Sequence, residues 1–241
     1  MKSYLLFATF ALVAAASSCR QSAAANNESQ SPPTTISRGD TIAPDSIPLP
    51  AIADSIDYDT TQWQELTALD STIRLDLRYA TTNNFVGQIL YDCARCFLRP
   101  AAAKAVVAAH QELRTEGLGL KLFDCYRPRS VQYKLWEIFP QPGYVADPRT
   151  GSIHNRGGAV DLTIVDSTGQ ELDMGTAFDF FGPAANHQYT KLPDTVLVNR
   201  RKLKALLQKH GFTAIRSEWW HYNFTARAYE LADEMWPCPV E

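Results

Sequence analysis

The sequence predicts a single α+β domain in which helices flank a central, largely antiparallel sheet. Strand and helix patterns both occur, since residues 73–79 alternate apolar and polar side chains whereas residues 100–116 form an alanine-rich stretch. The two patterns do not alternate regularly along the chain, which disfavours a parallel βαβ sheet. The chain of 241 residues is long enough for one sizeable core and too short for two large ones.

The first half of the predicted domain contains two strands and two helices. The alternating segment has the length of a strand with one half-buried face. Pro100 begins the first helix and Gly117 ends it, as is typical of helix termini. The apolar residues 120–123 predict a short strand that leads into the polar loop 124–128, and a second helix is expected over about residues 130–139.

The second half adds two strands and a helix. Residues 159–165 alternate so that one face of a strand carries Asp161 at its polar end. Asn199 can cap a helix that runs to His210, and the last core strand is expected within residues 212–224. The inner side of that helix is predicted to carry three leucines, Leu203, Leu206 and Leu207.

The composition is that of a soluble globular protein. Hydrophobic residues make up 45% of the chain and charged residues 20%. The formal net charge is −3, from nearly balanced acids and bases with no long basic run. This charge pattern gives no electrostatic footprint for nucleic acid, so nucleic acid is not an expected partner.

The N-terminus predicts export from the cytoplasm. Residues 1–18 are typical of a signal peptide, with a positive start at Lys2 and an apolar run too short to span a bilayer comfortably. The sequence from Ala16 to Cys19 resembles the lipobox of bacterial lipoproteins, although a leucine is usual where Ala16 stands. We expect a protein of the cell envelope whose one link to the membrane is a lipid on Cys19; an ordinary signal peptide cut nearby is the alternative.

Residues 19–60 are interpreted as a lipid-anchored flexible tether. This segment is rich in serine, threonine, alanine and proline and shows little hydrophobic periodicity. Such a tether would hold the catalytic domain, residues 61–241, away from the membrane.

Four cysteines remain after Cys19, and an oxidising compartment permits three ways of pairing them. They are Cys93, Cys96, Cys125 and Cys238. The sequence does not choose among these pairings. The C-x-x-C spacing of the first two looks like half of a zinc knuckle, but no second such pair completes it, which favours disulfides or free thiols.

Two short clusters carry residues suited to metal chemistry. His154 and Asp161 are joined by a segment with a glycine pair, which lets the chain turn tightly so that both side chains converge. Glu218 and His221 stand three residues apart, close enough to share a pocket.

Together these residues match the needs of a catalytic zinc site. Two histidines and one aspartate, His154, His221 and Asp161, make a three-ligand set with a fourth position for water. Glu218 can act as the base that takes the proton of the attacking water. Arg127, at the end of a predicted strand, can stabilise the oxyanion of a tetrahedral intermediate.

The pattern S-x-H-x-x-G-x-A-x-D followed by E-W-W-H resembles the zinc D-alanyl-D-alanine dipeptidases associated with vancomycin resistance. Residues 77–81, 124–128 and 174–180 resemble the same family in the same order along the chain. The resemblance covers roughly residues 66–224, which is nearly the whole predicted domain.

The resemblance implies one zinc ion per subunit, held by His154, Asp161 and His221. It also implies Glu218 as the base and Arg127 as the residue that stabilises the transition state. It also implies that Tyr79, Ser152 and Asp179 line the pocket for the ammonium group of the substrate. The sequence departs from the resistance-type pattern at Ile153, where serine is common, and in residues 184–187, which lack a paired histidine. These departures concern substrate preference rather than the chemistry.

The expected activity is hydrolysis of the dipeptide D-Ala-D-Ala to two molecules of D-alanine, in cell-wall peptide turnover. One alternative is a zinc carboxypeptidase or endopeptidase that acts on peptidoglycan stem peptides. Another is a non-catalytic cell-wall-binding module on the same fold, which the presence of both Glu218 and Arg127 disfavours.

Overall fold

The computed structural model describes residues 56–239. The predicted signal peptide and nearly all of the predicted tether therefore lie outside the described residues. Within residues 56–239, no helix has both the length and the apolar character needed to cross a membrane.

Strands and helices are mixed along the described chain. Their order and bounds are β1 (Gln64–Glu65), α1 (Leu66–Leu69), β2 (Arg74–Leu75), β3 (Phe97–Leu98), α2 (Pro100–Arg114), β4 (Leu118–Asp124), α3 (Arg129–Ile138), β5 (Ala159–Asp166), α4 (Asp194–Lys209), β6 (Phe212–Ala214) and β7 (His221–Phe224). Three 3-10 turns, Arg78–Ala80, His154–Arg156 and Pro183–Ala185, lie between them.

The main sheet has five strands in the order β2-β4-β5-β7-β6. The pairs β4–β5, β5–β7 and β6–β7 are antiparallel, and only the edge strand β2 runs parallel to its neighbour β4. A separate antiparallel pair joins β1 to β3. The predicted α+β class with a largely antiparallel sheet is therefore confirmed.

The core lies between the sheet and helices α2 and α4. Strand β5 is buried on both faces, with only its last residue partly exposed. The predicted inner leucines of α4, Leu203, Leu206 and Leu207, are buried in the same cluster as Leu162 and Ile164 of β5. Burial of this apolar surface is the main stabilising term for the fold.

Several predicted boundaries are wrong. The predicted strand 73–79 is reduced to β2. Beyond β2, the Asp76 N–H bonds to the Leu122 carbonyl, and the chain then leaves the sheet and enters the 3-10 turn Arg78–Ala80. The last predicted strand is split into β6 and β7.

Helix α4 begins at Asp194 rather than after Asn199. Pro193 precedes the first turn, and Asp194 places a negative charge there, which favours a helix N-terminus. Asn199 lies inside the helix, where its Nδ2 donates to the Asp173 carbonyl over 2.9 Å instead of capping the helix.

The four cysteines of the domain form two disulfides, Cys93–Cys238 and Cys96–Cys125. The first ties the C-terminal segment to the loop before β3. On the same segment, Trp236 stacks on Phe97 with 3.9 Å between ring centroids. The C-x-x-C pair therefore serves two separate cross-links and forms no zinc knuckle.

Removing the first cross-link tests this arrangement. The double variant Cys93→Ser/Cys238→Ser is expected to lower the free energy of unfolding by about 2–5 kcal/mol, because the unfolded chain loses a long-range constraint. Denaturant unfolding followed by tryptophan fluorescence measures the change. An unchanged free energy, or peptide mapping that pairs Cys93 with Cys96, would contradict the arrangement.

Candidate metal centre and active site

His154, Asp161 and His221 meet at one point. One ligand atom from each lies within 4.8 Å of the other two. The Asp161 Oδ1 atom is 2.9 Å from His221 Nδ1 and 3.3 Å from His154 Nε2, and the two imidazole nitrogens are 3.1 Å apart. Residues separated by up to 67 positions in the chain therefore share one small volume.

Local structure explains this convergence. Asp161 and His221 are directly paired across the β5–β7 ladder. His154 lies on a 3-10 turn that ends at Gly157, whose φ of 69° is left-handed. A Cβ at Gly157 would lie 2.4 Å from the Trp63 ring, so this position requires glycine for two reasons.

Each imidazole directs one nitrogen toward the cluster. The other nitrogen of His154, Nδ1, donates to the Cys125 carbonyl over 2.6 Å, and Nε2 of His221 donates to Asn223 Oδ1 over 2.9 Å. In the neutral rings, the nitrogens that face Asp161 then carry lone pairs and no proton. Two nitrogen lone pairs and a carboxylate oxygen facing one another fit a divalent cation.

The charges around the cluster also favour a cation. Burial opposes ionisation of Asp161, but His154 and His221 outweigh it and hold the pKa of this carboxyl well below its usual range. Burial likewise disfavours charge on His154, yet Asp161 and Asp124 raise the pKa of its imidazole. A bound cation would take the place of the proton that the charged imidazole carries.

Glu218 lies on the turn between β6 and β7, three residues before His221. Burial raises the pKa of its carboxyl to about 7. It lines the same cleft as the cluster, and the cleft has a volume of about 340 Å³. A half-buried carboxyl with a pKa near neutrality can both accept and return a proton.

Arg127 is buried and rigidly held. Its Nε and Nη2 atoms donate to Asp124 Oδ2 over 3.1 and 2.6 Å, and its Nη1 donates to Gln132 over 2.9 Å. Asp124 also accepts from the Tyr91 hydroxyl over 2.6 Å and from the Cys125 N–H over 2.9 Å. Such a network fixes the direction of the guanidinium toward the cleft that Arg127 lines.

The residues that the resemblance implies for the ammonium pocket also line this cleft: Tyr79, Ser152 and Asp179. The Tyr79 hydroxyl donates to Asp179 Oδ2 over 3.0 Å. Burial, with a contribution from Asp161, raises the pKa of Asp179 to about 8. Ser152 shapes the loop as well, since its hydroxyl oxygen accepts the Asn155 N–H over 3.4 Å.

All eight site residues predicted from the sequence therefore line one cleft. Sequence reasoning missed four supporting residues, Asp124, Gln132, Tyr91 and Asn223. Two of them carried a local signal: Asp124, three residues before Arg127, and Asn223, two residues after His221 on the same face of β7. The roles of the other two, Gln132 and Tyr91, depend on the tertiary fold.

A largely buried His-Asp-His cluster beside a half-buried glutamate, on this α+β fold, is the arrangement expected of a metallopeptidase. The sequence model of the D-ala-D-ala dipeptidase family, Peptidase_M15, matches residues 59–239. The chain belongs to this family of metal-dependent peptidases, which confirms the resemblance seen in the sequence.

Similar proteins occur in distant bacteria. The chain is 36% identical to the D-alanyl-D-alanine dipeptidase of Escherichia coli K12 over 181 residues, which cover 75% of this chain and 94% of the relative. It is 32% identical to the D-alanyl-D-alanine dipeptidase of Enterococcus faecium over 181 residues, which cover 65% of this chain and 88% of the relative. It is 34% identical to the D-alanyl-D-alanine dipeptidase of Streptomyces coelicolor over 179 residues, which cover 64% of this chain and 87% of the relative.

The hydrogen bond from His221 to Asn223 gives a test of the metal centre. Asn223→Ala is expected to weaken binding of a divalent cation about 10–100-fold, because it frees the His221 ring that the bond orients. Chelator competition measures the affinity, and His221→Ala should remove binding altogether.

His210→Ala is the matched control, because this histidine contacts Glu112 at 2.9 Å, outside the cleft. Unchanged cation affinity in both Asn223→Ala and His221→Ala would show that the cation binds elsewhere.

Proposed function

We propose that this protein is a zinc-dependent dipeptidase that hydrolyses D-Ala-D-Ala to two molecules of D-alanine. The observation that carries the proposal is the convergence of His154, Asp161 and His221 in the cleft that Glu218 also lines. Two imidazoles and one carboxylate form a ligand set typical of catalytic zinc. Family membership supports the same reaction.

A zinc ion at this site would polarise the scissile carbonyl and make water a stronger nucleophile. Glu218 would accept the proton of the attacking water on its carboxylate and deliver it to the nitrogen of the leaving amine. Burial raises the pKa of this carboxyl, which makes its carboxylate a stronger base than an exposed one.

Arg127 would stabilise the negative charge that develops on the carbonyl oxygen. Of the five N–H groups of a guanidinium, three are engaged with Asp124 and Gln132. The remaining N–H groups are available to a ligand in the cleft. Because the guanidinium is already fixed, little reorganisation is needed in the transition state.

Asp179 supports a substrate with a free amino terminus. Its buried carboxyl contacts only the Tyr79 hydroxyl among the hydrogen-bond partners in residues 56–239. A substrate ammonium group would supply the missing positive charge. The ammonium group would also favour ionisation of this carboxyl, whose pKa is raised in the free site. An N-acylated peptide would offer no such charge, so the site favours a dipeptide over a longer stem peptide.

The cellular setting is also a proposal. The signal peptide over residues 1–18, the lipid on Cys19 and the tether to residue 60 would place the enzyme in the cell envelope, facing the periplasm or the exterior. Two disulfides in the domain support an oxidising compartment. An exported enzyme would act on wall fragments rather than newly made precursor. Detection of the mature protein in the cytosolic fraction would contradict this setting.

Glu218→Gln tests the proposed base. With D-Ala-D-Ala as substrate, kcat is expected to fall about 10²–10⁴-fold while zinc stays bound, because the amide cannot accept the proton. Release of D-alanine and the zinc content are measured on the same preparation. Glu116→Gln, in the exposed turn after α2, is the matched control. Full turnover by Glu218→Gln would reject the assignment.

Asp179→Asn tests the ammonium pocket. We expect kcat/KM for D-Ala-D-Ala to fall at least about 30-fold, because a buried charge pair of about 2–5 kcal/mol is lost. Turnover of N-acetyl-D-Ala-D-Ala should be slow in the wild type and unaffected by the substitution. A wild-type preference for the acetylated peptide would instead favour the carboxypeptidase or endopeptidase alternative.

A further inference from the structure

Helix α4 carries an arginine that is buried without a carboxylate partner. Arg200 is 4% exposed. Its Nε donates to the Met174 carbonyl over 2.7 Å and its Nη1 to the Asn186 carbonyl over 3.3 Å, whereas Nη2 has no hydrogen-bond partner in the part of the chain that the structure describes. No carboxylate of residues 56–239 forms an ion pair with this guanidinium.

A buried charge of this kind requires compensation. Burial lowers the pKa of Arg200, and Tyr222 and Asp173 only partly oppose that effect. A guanidinium nevertheless keeps its proton in proteins, so the positive charge remains. The uncompensated charge is strongly destabilising unless an anion lies beside it.

Two more buried polar atoms near Arg200 also lack partners among the described residues. They are the Tyr222 hydroxyl and His187 Nε2. The rings of His187 and Tyr222 are 6.0 Å apart between centroids, and Asn186, which accepts from Arg200, directly precedes His187. These contacts place the three groups around one region between α4, the 186–187 loop and β7.

All three groups can act as donors. Burial, Lys204 and Arg200 lower the pKa of His187 to about 4, so the neutral ring can carry its proton on Nε2. The phenol of Tyr222 carries a hydroxyl proton that it can donate. A guanidinium N–H, a phenol O–H and an imidazole N–H together form a donor set for a negative ligand.

We propose that a small monovalent anion of the chloride class binds here, accepting hydrogen bonds from Arg200 Nη2, the Tyr222 hydroxyl and His187 Nε2. A single water molecule can accept only two of these three hydrogen bonds, and it would leave the charge of Arg200 uncompensated. A larger organic acid is disfavoured because all three atoms are shielded from solvent.

The position of this anion site links it to the catalytic segment. Successive side chains of a strand point to opposite faces, so Tyr222 lies on the other face of β7 from His221. Arg200 also lies over the ring of Trp219, 5.9 Å from its centroid, and Trp219 follows Glu218 directly. The anion therefore stabilises the segment that carries the proposed base and one proposed metal ligand.

The anion requirement is tested on zinc-loaded protein at constant ionic strength. Sodium chloride or bromide should raise the melting temperature in a saturable way, by about 5 °C at high occupancy, relative to sodium gluconate, whose anion is too large for the site. Crystals soaked in bromide should show an anomalous peak within hydrogen-bond distance of Arg200 Nη2.

Variants separate this site from other halide effects. Arg200→Met should abolish the chloride dependence, and Tyr222→Phe should raise the chloride concentration for half-maximal stabilisation about tenfold. Arg201→Met, at the exposed neighbouring position, should behave as wild type.

The proposal fails on any of three results. One is a bromide-soaked crystal without the anomalous peak near Arg200 Nη2. Another is an equal melting temperature in chloride and in gluconate. The third is a chloride response that Tyr222→Phe leaves unchanged. The peak and the Tyr222→Phe titration decide the matter even if Arg200→Met does not fold.

Discussion

The antiparallel pairing of β5 with β7 is the constraint on which the rest of the site depends. It sets Asp161 opposite His221 and, one step along, Val160 opposite Tyr222 in the core. A shift of one residue would turn every side chain of one strand to the other face. In β7, Tyr222 and Phe224 are buried on one face whereas His221 and Asn223 are partly exposed on the other. Such a shift would bring apolar side chains to the more exposed face, so the packing of the core holds the register that assembles the ligands.

A single buried cleft acts differently on three carboxyl groups. The two imidazoles hold the pKa of Asp161 low, whereas burial raises the pKa of Glu218 to about 7 and that of Asp179 to about 8. The different neighbours thus separate an ionised ligand, a group suited to proton transfer and a partner for a cationic substrate. Divergent pKa values within one site are a common way to assign distinct roles to identical groups.

The sequence allowed prediction of features carried by local pattern, and not of those created by tertiary contacts. The glycine turn after His154 and the alternation around Asp161 pointed to one site, since backbone geometry and strand period are local properties. The pairing of Cys96 with Cys125 and the hydrogen bond from Tyr91 to Asp124 arise only when distant segments of the chain come together. The start of α4 was misplaced because Asn199 and Asp194 both suit a helix N-terminus.

The central claim is that His154, Asp161 and His221 hold one zinc ion beside Glu218. Anomalous diffraction at the zinc edge from crystals of the zinc-loaded protein tests it most directly. The account predicts one strong peak about 2.0–2.2 Å from His154 Nε2, His221 Nδ1 and an oxygen of Asp161, with the Glu218 carboxylate outside the coordination shell. A peak coordinated by Glu218 in place of one of these ligands, or located outside the cleft, would contradict it.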